Sequence, residues 1–478
     1  MNEREFDCLI VGNGALGLFL AAELIDRGYQ RVAVCGRADR PSGASQAAGA
    51  MLGCFAEVTA ETLRSPAGRQ KFELGLLARR RWPDRLKRLL GSAKQAPAPH
   101  VVPDTYVVLN TRGAELDTYN YDAIIAAADS YGEPWEQVDP DEITGLRPRP
   151  DSRALRAIRL PEEGAVDGRA VLALVQEQLV AAGVAMLPEI RSLTYAEDRV
   201  IGAELSDGRT VRADATVLAA GARSAELLAT LPHPTEVMPT FAGLGFAMVT
   251  ERTRGTGFES VVRTPNRAFA CGLHVVPHGD GREYLGATNM VVRDARTKAV
   301  LGDVHFLADC AMRQLDEEMY HHNVAEYRVG NRPVTLDGFP LIGWTEHAGL
   351  YLLTGTYRDG FHNSPLIAEH VADQLGGGEG ALGELFAVGR RPILPLTVEE
   401  SIDLFVQHRM AAWFEAGAQS PPNMSATALR QVLRQQAVTL YEQLGLDVGL
   451  GPDILMHVLG SLRDPHTSDV IKYLRVSR

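Results

Sequence analysis

Apolar positions run without interruption from Cys8 to Val11 and then return at helical spacing, at Leu16, Leu20 and Leu24, before Gly28. The first run reads as a strand buried on both faces, the second as a helix packed against it. Between them lies Gly12-Asn13-Gly14-Ala15-Leu16-Gly17, a G-x-G-x-x-G turn. Glycines there give the turn free φ, let the backbone approach a pyrophosphate and let helix and strand pack closely. The helix start offers unpaired N–H groups and the positive end of its dipole to phosphates. Gly12, Gly14, Ala15, Leu16 and Gly17 are therefore candidate dinucleotide ligands.

The same alternation predicts the rest of the chain. A second strand spans 31–36, an amphipathic helix 70–90, a strand Thr105–Asn110 and a helix 121–131. Asp167 can cap a helix over 168–182 that Gly183 closes. A strand at 185–187 is followed by Ile190, a hairpin over 193–211 turning at Ser206-Asp207-Gly208, and a strand over 215–220 that enters Gly221-Ala222. Strands at 239–250, 268–277 and 283–288 alternate as in an antiparallel sheet, and 306–321 reads as a helix. A strand Leu350–Thr354 precedes a helix from Pro365 to Leu375. Four more helices follow, at 397–415, 426–444, 452–462 and 468–475. In the second of these, Leu429, Val432, Ala437, Leu440, Tyr441 and Leu444 fall on one face.

A chain of 478 residues, 45% of them hydrophobic, exceeds one ordinary domain. Its net charge of −12 argues against a nucleic-acid partner, because such partners are held by Lys and Arg contacts to phosphate. Five cysteines without a C-x-x-C pair read as reduced, mostly buried thiols. His305, His321 and His322 share no zinc-ligand spacing, so no metal is expected. The early apolar run is broken by the glycine turn and by Glu23, which fits neither a signal peptide nor a membrane span. The cytoplasm is the expected compartment.

The second strand ends in Gly36-Arg37, where an acidic residue would bind the adenosine ribose. Arg37 suits a 2′-phosphate, so on this unit alone NADP competes with FAD. The other reading is a solvated Arg37, with Asp39 or water at the ribose. Further on, Pro41 to Gly53 is almost entirely small residues, which let backbone approach a flat or anionic ligand, and Ser42 or Ser45 can cap a helix start there. With Ala56-Glu57 after it, this stretch resembles the second FAD-contacting segment of the glycine oxidase and D-amino-acid oxidase family. A second signature is longer: Gly330-Asn331-Arg332-Pro333-Val334-Thr335-Leu336-Asp337-Gly338-Phe339-Pro340-Leu341-Ile342-Gly343. After it comes the run from Gly355 to Pro365.

The resemblance covers residues 5 to about 380 and implies an α/β fold. It implies a Rossmann-type FAD-binding domain (1–90, 151–230, 325–390) and an inserted antiparallel-sheet α+β substrate domain (91–150, 231–324). Residues 396–478 lie outside it, as a C-terminal α-helical appendage packed on the body or on a second subunit. FAD is implied as a non-covalent cofactor, since no flavin-linking cysteine stands in 327–333. Its implied contacts are Arg37, Ser42, Ala44, Ser45, Ala48, Gly49, Met51, Ile190, Ala220 and Gly221, and then Gly355, Arg358, Asp359, Gly360, Phe361 and His362.

The implied chemistry is oxidation of a small amino acid to an imine, with O2 as acceptor and hydrogen peroxide as product. Arg332 matches the family's carboxylate ligand and Arg358, more loosely, a second pocket arginine. His274 stands where the family tends to carry a tyrosine, and Asn289 and Asn331 replace more apolar residues, which favours a substrate with an extra polar group on nitrogen. Three rival readings remain at this point: a dehydrogenase passing electrons to a quinone or carrier protein, an NADP enzyme, and a non-catalytic module whose helical tail binds a partner.

Overall fold

The computed structural model describes residues 5–92, 98–419 and 421–476. The strand Phe6–Val11 pairs in parallel with Val32–Cys35 on one side and Thr210–Leu218 on the other; Ala185–Leu187 and Leu350–Thr354 extend this parallel core. Cys8, Ile10, Val32 and Val34 pack against the helices Ala15–Asp26, Gly168–Ala181 and Ser364–Leu375. Their neighbours Leu9, Val11, Ala33 and Cys35 belong to a second core on the opposite face. Both faces being covered explains why the run from Cys8 to Val11 has no polar position.

The hairpin expected over 193–211 is part of a meander, Ile190–Ala196, Arg199–Leu205 and Thr210–Leu218, with its first turn at Glu197-Asp198. The third strand runs on into the parallel core, so one strand serves both halves of the sheet.

A second, mostly antiparallel sheet stands over the first. Its centre is Thr240–Glu251, paired along its length with Asn323–Thr335 and also with Arg282–Thr288 and Met290–Val292. Ala270–Gly279, Val261–Arg263, Thr105–Asn110, Ala154–Leu160 and Glu136–Val138 complete it. Two boundaries therefore differ from expectation: 151–160 and 325–335, assigned by sequence to the nucleotide unit, supply strands of the second sheet. Pairing partner decides sheet membership, and no local pattern encodes it.

The helix expected over 70–90 is two helices, Pro66–Arg79 and Trp82–Ser92, because Pro83 has no N–H to continue a helix and fits only its first turn. The helix expected over 306–321 runs Leu301–Gln314 and is followed by a short 3-10 turn, Glu317–His321, capped by Asp316.

The C-terminal helices are Val398–Glu415, Ala426–Leu444, Pro452–Gly460 and Pro465–Val476. They are not a free-standing unit. Leu440, Leu444, Leu455 and Leu474 share one buried core with Leu9 and Leu350 of the first sheet. Of the six apolar positions read on one face, Val432 alone is exposed. Charge pins the same seam: Arg267 is 2% exposed between Asp117 at 2.8 Å and Glu415 of the tail at 3.0 Å. Among the described residues, no helix is long and apolar enough to cross a membrane. Cys8, Cys35, Cys54 and Cys310 are buried free thiols; the side chain of Cys271 lies outside the described residues.

Candidate active site

A cavity of about 250 Å³ lies between the glycine turn, the small-residue segment, the turn after Leu218 and the second sheet. Its floor is backbone. Gly12 has φ +129°, and a Cβ there would sit 2.2 Å from the Ala219 carbonyl oxygen. A Cβ on Gly17 would sit 1.8 Å from the Gly12 carbonyl oxygen. The turn is thus locked by contacts that only glycine permits. The helix Ala15–Asp26 has no side-chain cap at Gly14; the Ala15 amide donates to Ser45 Oγ (3.0 Å), and the rest of the first turn is left for phosphate oxygens.

The departure at Gly36-Arg37 has a local cause. Asn13 Nδ2 donates to the Arg37 carbonyl (2.7 Å), and a Cβ on Gly36 would meet the Asn13 amide at 2.4 Å. Asn13 therefore fills the place beside the end of the second strand. Arg37 turns outward into an ion pair with Asp39 (2.9 Å), half exposed. Arg40, at φ +42°, donates from Nε to the Asn13 carbonyl (2.8 Å). Sequence reasoning missed both, since Asn13 is a variable position of the fingerprint and Arg40 lies outside it.

Of the candidate residues, Gly12, Gly14, Ala15, Leu16, Arg37, Ser42, Ala44, Ser45, Ala48, Ile190, Ala220, Gly221, Asn331, Arg332, Arg358, Gly360 and Phe361 line the cavity. The others do not reach it. Gly17 lies under the turn, Gly49 backs onto Tyr284 and His274, and Gly355 packs on Thr335 at φ +75°. Met51 sits in the strand Met51–Leu52, and Asp359 pairs with Lys71 (2.9 Å). His362 is buried with Nε2 2.8 Å from the Gly75 carbonyl oxygen and 3.3 Å from Cys54 Sγ; burial lowers its pKa.

His274 is likewise removed from the wall. It stacks on Tyr284, its Nδ1 is 3.1 Å from the Gly272 carbonyl oxygen, and burial takes its pKa down to about 4. It is a neutral core residue. Asn331 is consumed by structure: its side chain bonds Arg296 N (2.9 Å), Arg296 O (2.7 Å) and Ser42 O (3.1 Å), tying the small-residue segment to the second sheet. Glu57 forms a buried cluster with Arg263 and Asn266; burial would raise its pKa, but Arg263 outweighs that and holds it near 2.

Arg332 is different. Its Nη1 donates to two neutral acceptors, Thr288 O (3.2 Å) and Asn289 Oδ1 (3.1 Å). Among the described residues no carboxylate lies within ion-pair distance of it. Asn289 Nδ2 donates to Tyr357 Oη (2.5 Å), and Tyr357 Oη donates to Asp453 Oδ2 (2.7 Å) in the tail helix Pro452–Gly460. Arg358 stands beside the same carboxylate at 3.7 Å. A second cavity of about 420 Å³, between tail and body, shares Tyr357 and Arg358 with the first.

Residues 7–374 match the family model described as DAO, FAD dependent oxidoreductase. The chain belongs to that family. Its cofactor is FAD, and the uncapped helix start, the glycine floor and the small-residue segment fit a dinucleotide. The chain is 28% identical over 373 residues to the glycine oxidase of Geobacillus kaustophilus, covering 77% of this chain and 93% of that one. It is 26% identical over 371 residues to the bifunctional protein ThiO/ThiG of Trichormus variabilis, covering 77% of this chain but only about half (52%) of that relative's length. The crystal structure of the Geobacillus kaustophilus glycine oxidase superposes with a TM-score of 0.68 at 24% identity, over 81% of this chain and 99% of that one. The FAD-dependent oxidoreductase model thus stops short of the four tail helices.

Proposed function

We propose that this FAD-dependent oxidoreductase oxidises the C–N bond of a small amino acid, such as glycine, an N-substituted glycine or a D-amino acid, to an imine. The observation that carries this reading is the Arg332 guanidinium on the cavity wall, held by neutral acceptors only. A half-buried cation with no acidic partner among the described residues favours an anionic ligand, and its planar fork can donate to a carboxylate at two points. Two-point binding fixes the substrate's Cα–H direction, the main contribution an enzyme makes to hydride transfer. FAD, when bound, would supply the acceptor for the hydride leaving Cα. The amine loses a proton, water adds to the C=N bond and releases ammonia or an amine, and the two electrons pass to O2 to give hydrogen peroxide. The similarity to glycine oxidases supports the substrate class. His274 is buried neutral and has no part in this reading; an amine that arrives unprotonated needs no side-chain base.

The test is anaerobic flavin bleaching by a panel of amines and their decarboxylated analogues. Removing one partner of a buried charge pair costs about 2–5 kcal/mol. Arg332→Ala should therefore lower kcat/KM for carboxylated amines by about thirty- to several-thousand-fold. Equal reduction by the decarboxylated analogue would overturn the carboxylate role. Turnover in air without stoichiometric peroxide would replace O2 by another acceptor.

A further inference from the structure

We propose that Asp453, in the tail helix Pro452–Gly460, is a positioning residue for the substrate carboxylate, acting on Arg332 through Tyr357 and Asn289. The inference rests on the reading of Arg332 as the carboxylate ligand and names what sets that arginine's geometry. Asp453 lies outside residues 7–374, the part matched by the family model, so nothing in the shared FAD-dependent framework accounts for it.

The connection is continuous and has one direction. Arg332 Nη1 donates to Asn289 Oδ1 (3.1 Å), Asn289 Nδ2 to Tyr357 Oη (2.5 Å), and Tyr357 Oη to Asp453 Oδ2 (2.7 Å). Every donor in the chain points towards the carboxylate; Asn289 Nδ2 also lies 3.4 Å from Asp453 Oδ1, and the Tyr357 hydroxyl also accepts from Arg358 Nη2 at 3.4 Å. Asp453 as an anion thus fixes the Tyr357 hydroxyl as donor, which turns the Asn289 amide so that its oxygen faces Arg332. Were the amide reversed, its NH2 group would face the guanidinium and two donors would oppose each other.

Two further observations place Asp453 where such a role needs it. Its other oxygen accepts from the Phe269 amide (2.9 Å), so the carboxylate is held from the body as well as from its own helix. Tyr357 has φ +48°, a conformation that costs a non-glycine residue free energy and persists only where surroundings impose it. Its amide donates to the Pro333 carbonyl (2.9 Å), next to Arg332, and its hydroxyl is held by Asp453. The strained residue is clamped at both ends, between the arginine's own strand and the tail.

The experiment measures binding of acetate, a carboxylate that cannot be oxidised, through its perturbation of the flavin absorption spectrum in the full-length holoenzyme. The variants are Asp453→Asn, Tyr357→Phe, Arg332→Ala and each of the first two combined with Arg332→Ala. Loss of one link of a hydrogen-bonded chain should weaken acetate about two- to twelvefold. In the Arg332→Ala background the same changes should have no further effect, since the chain then ends on nothing. Asp453→Glu should restore part of the loss, whereas substrates lacking a carboxylate should respond little to any of these changes. Tyr357→Phe keeps the ring and removes the hydroxyl link, leaving only the longer contact of Asn289 Nδ2 with Asp453 Oδ1 (3.4 Å), so it decides the matter if Asp453→Asn fails to fold. Arg332-dependent acetate binding that Asp453→Asn and Tyr357→Phe both leave unchanged would overturn the positioning role alone. Acetate binding that ignores Arg332→Ala would instead remove the reading of Arg332 itself.

Discussion

In the dinucleotide groove, contact is left largely to backbone: Gly12 and Gly17 allow approaches near 2 Å from where a Cβ would sit, and the flanking segment is mostly alanine, glycine and serine. At the seam under the C-terminal helices the opposite holds. Arg267, Asp117 and Glu415 are buried charges, His408 is a buried base, and Asp453 ends a chain of side-chain hydrogen bonds. A groove for a large cofactor must exclude side chains to leave amides reachable. A seam joining two parts of one chain must specify a single docking geometry, and directional polar contacts do that at a cost in desolvation.

The contrast predicts which substitutions break which region. Glu415→Ala leaves Arg267 buried with one acid instead of two and should cost about 3–5 kcal/mol in urea unfolding. Its flavin content, once folded, should match wild type. Gly17→Ala forces a methyl onto the Gly12 carbonyl and should cost about 1–3 kcal/mol, but here the retained flavin per folded protein should fall as well. If Glu415→Ala also released flavin, groove and seam would form one cooperative unit.

A pH titration sharpens the comparison. Burial lowers the His408 pKa to about 4 from an ordinary 6.5, and its Nδ1 accepts from the Ala268 amide (2.9 Å). The native state keeps the ring neutral while the unfolded chain protonates it. The stability it contributes is therefore complete above pH 6.5 and is lost as pH falls from 6.5 towards 4. Over that window each proton contributes at most about 1.4 kcal/mol per pH unit. The urea midpoint of His408→Gln should accordingly fall less steeply with acidification than that of wild type. Smallest of all, Arg37→Ala breaks an exposed pair with Asp39 and should change flavin affinity less than about fivefold. A large loss there would reinstate Arg37 as a phosphate ligand.

The legible parts of this molecule were those in which a short stretch meets its own requirements. The strand Thr105–Asn110, the strand Leu350–Thr354 and the helix Ala426–Leu444 have the ends that their pattern gives, because caps, turns and periodicity act within a few residues. The turn from Gly12 to Gly17 belongs with them: of its five candidate positions four line the cavity, and Gly17 is packing. The resemblance carried Arg332 to the cavity wall but also carried His274 there, and the second does not arrive. A strand position facing inward looks alike whether it meets a cavity or, as His274 does, a tyrosine ring.

From sequence alone came the two-sided burial of the first strand, the glycine turn, the small-residue segment and the amphipathic nature of the tail. All of these are encoded by neighbours along the chain. Tertiary structure alone decided that Ala154–Leu160 and Asn323–Thr335 join the second sheet, that Asn13 takes the space beside Gly36, that His274 and Asn331 are spent on packing, and that Asp453 reaches Tyr357. Asp453 and Tyr357 are 96 residues apart in sequence and 2.7 Å apart in space. Such pairs form when whole helices and sheets dock, and docking is governed by the summed burial of faces that no local pattern identifies as partners.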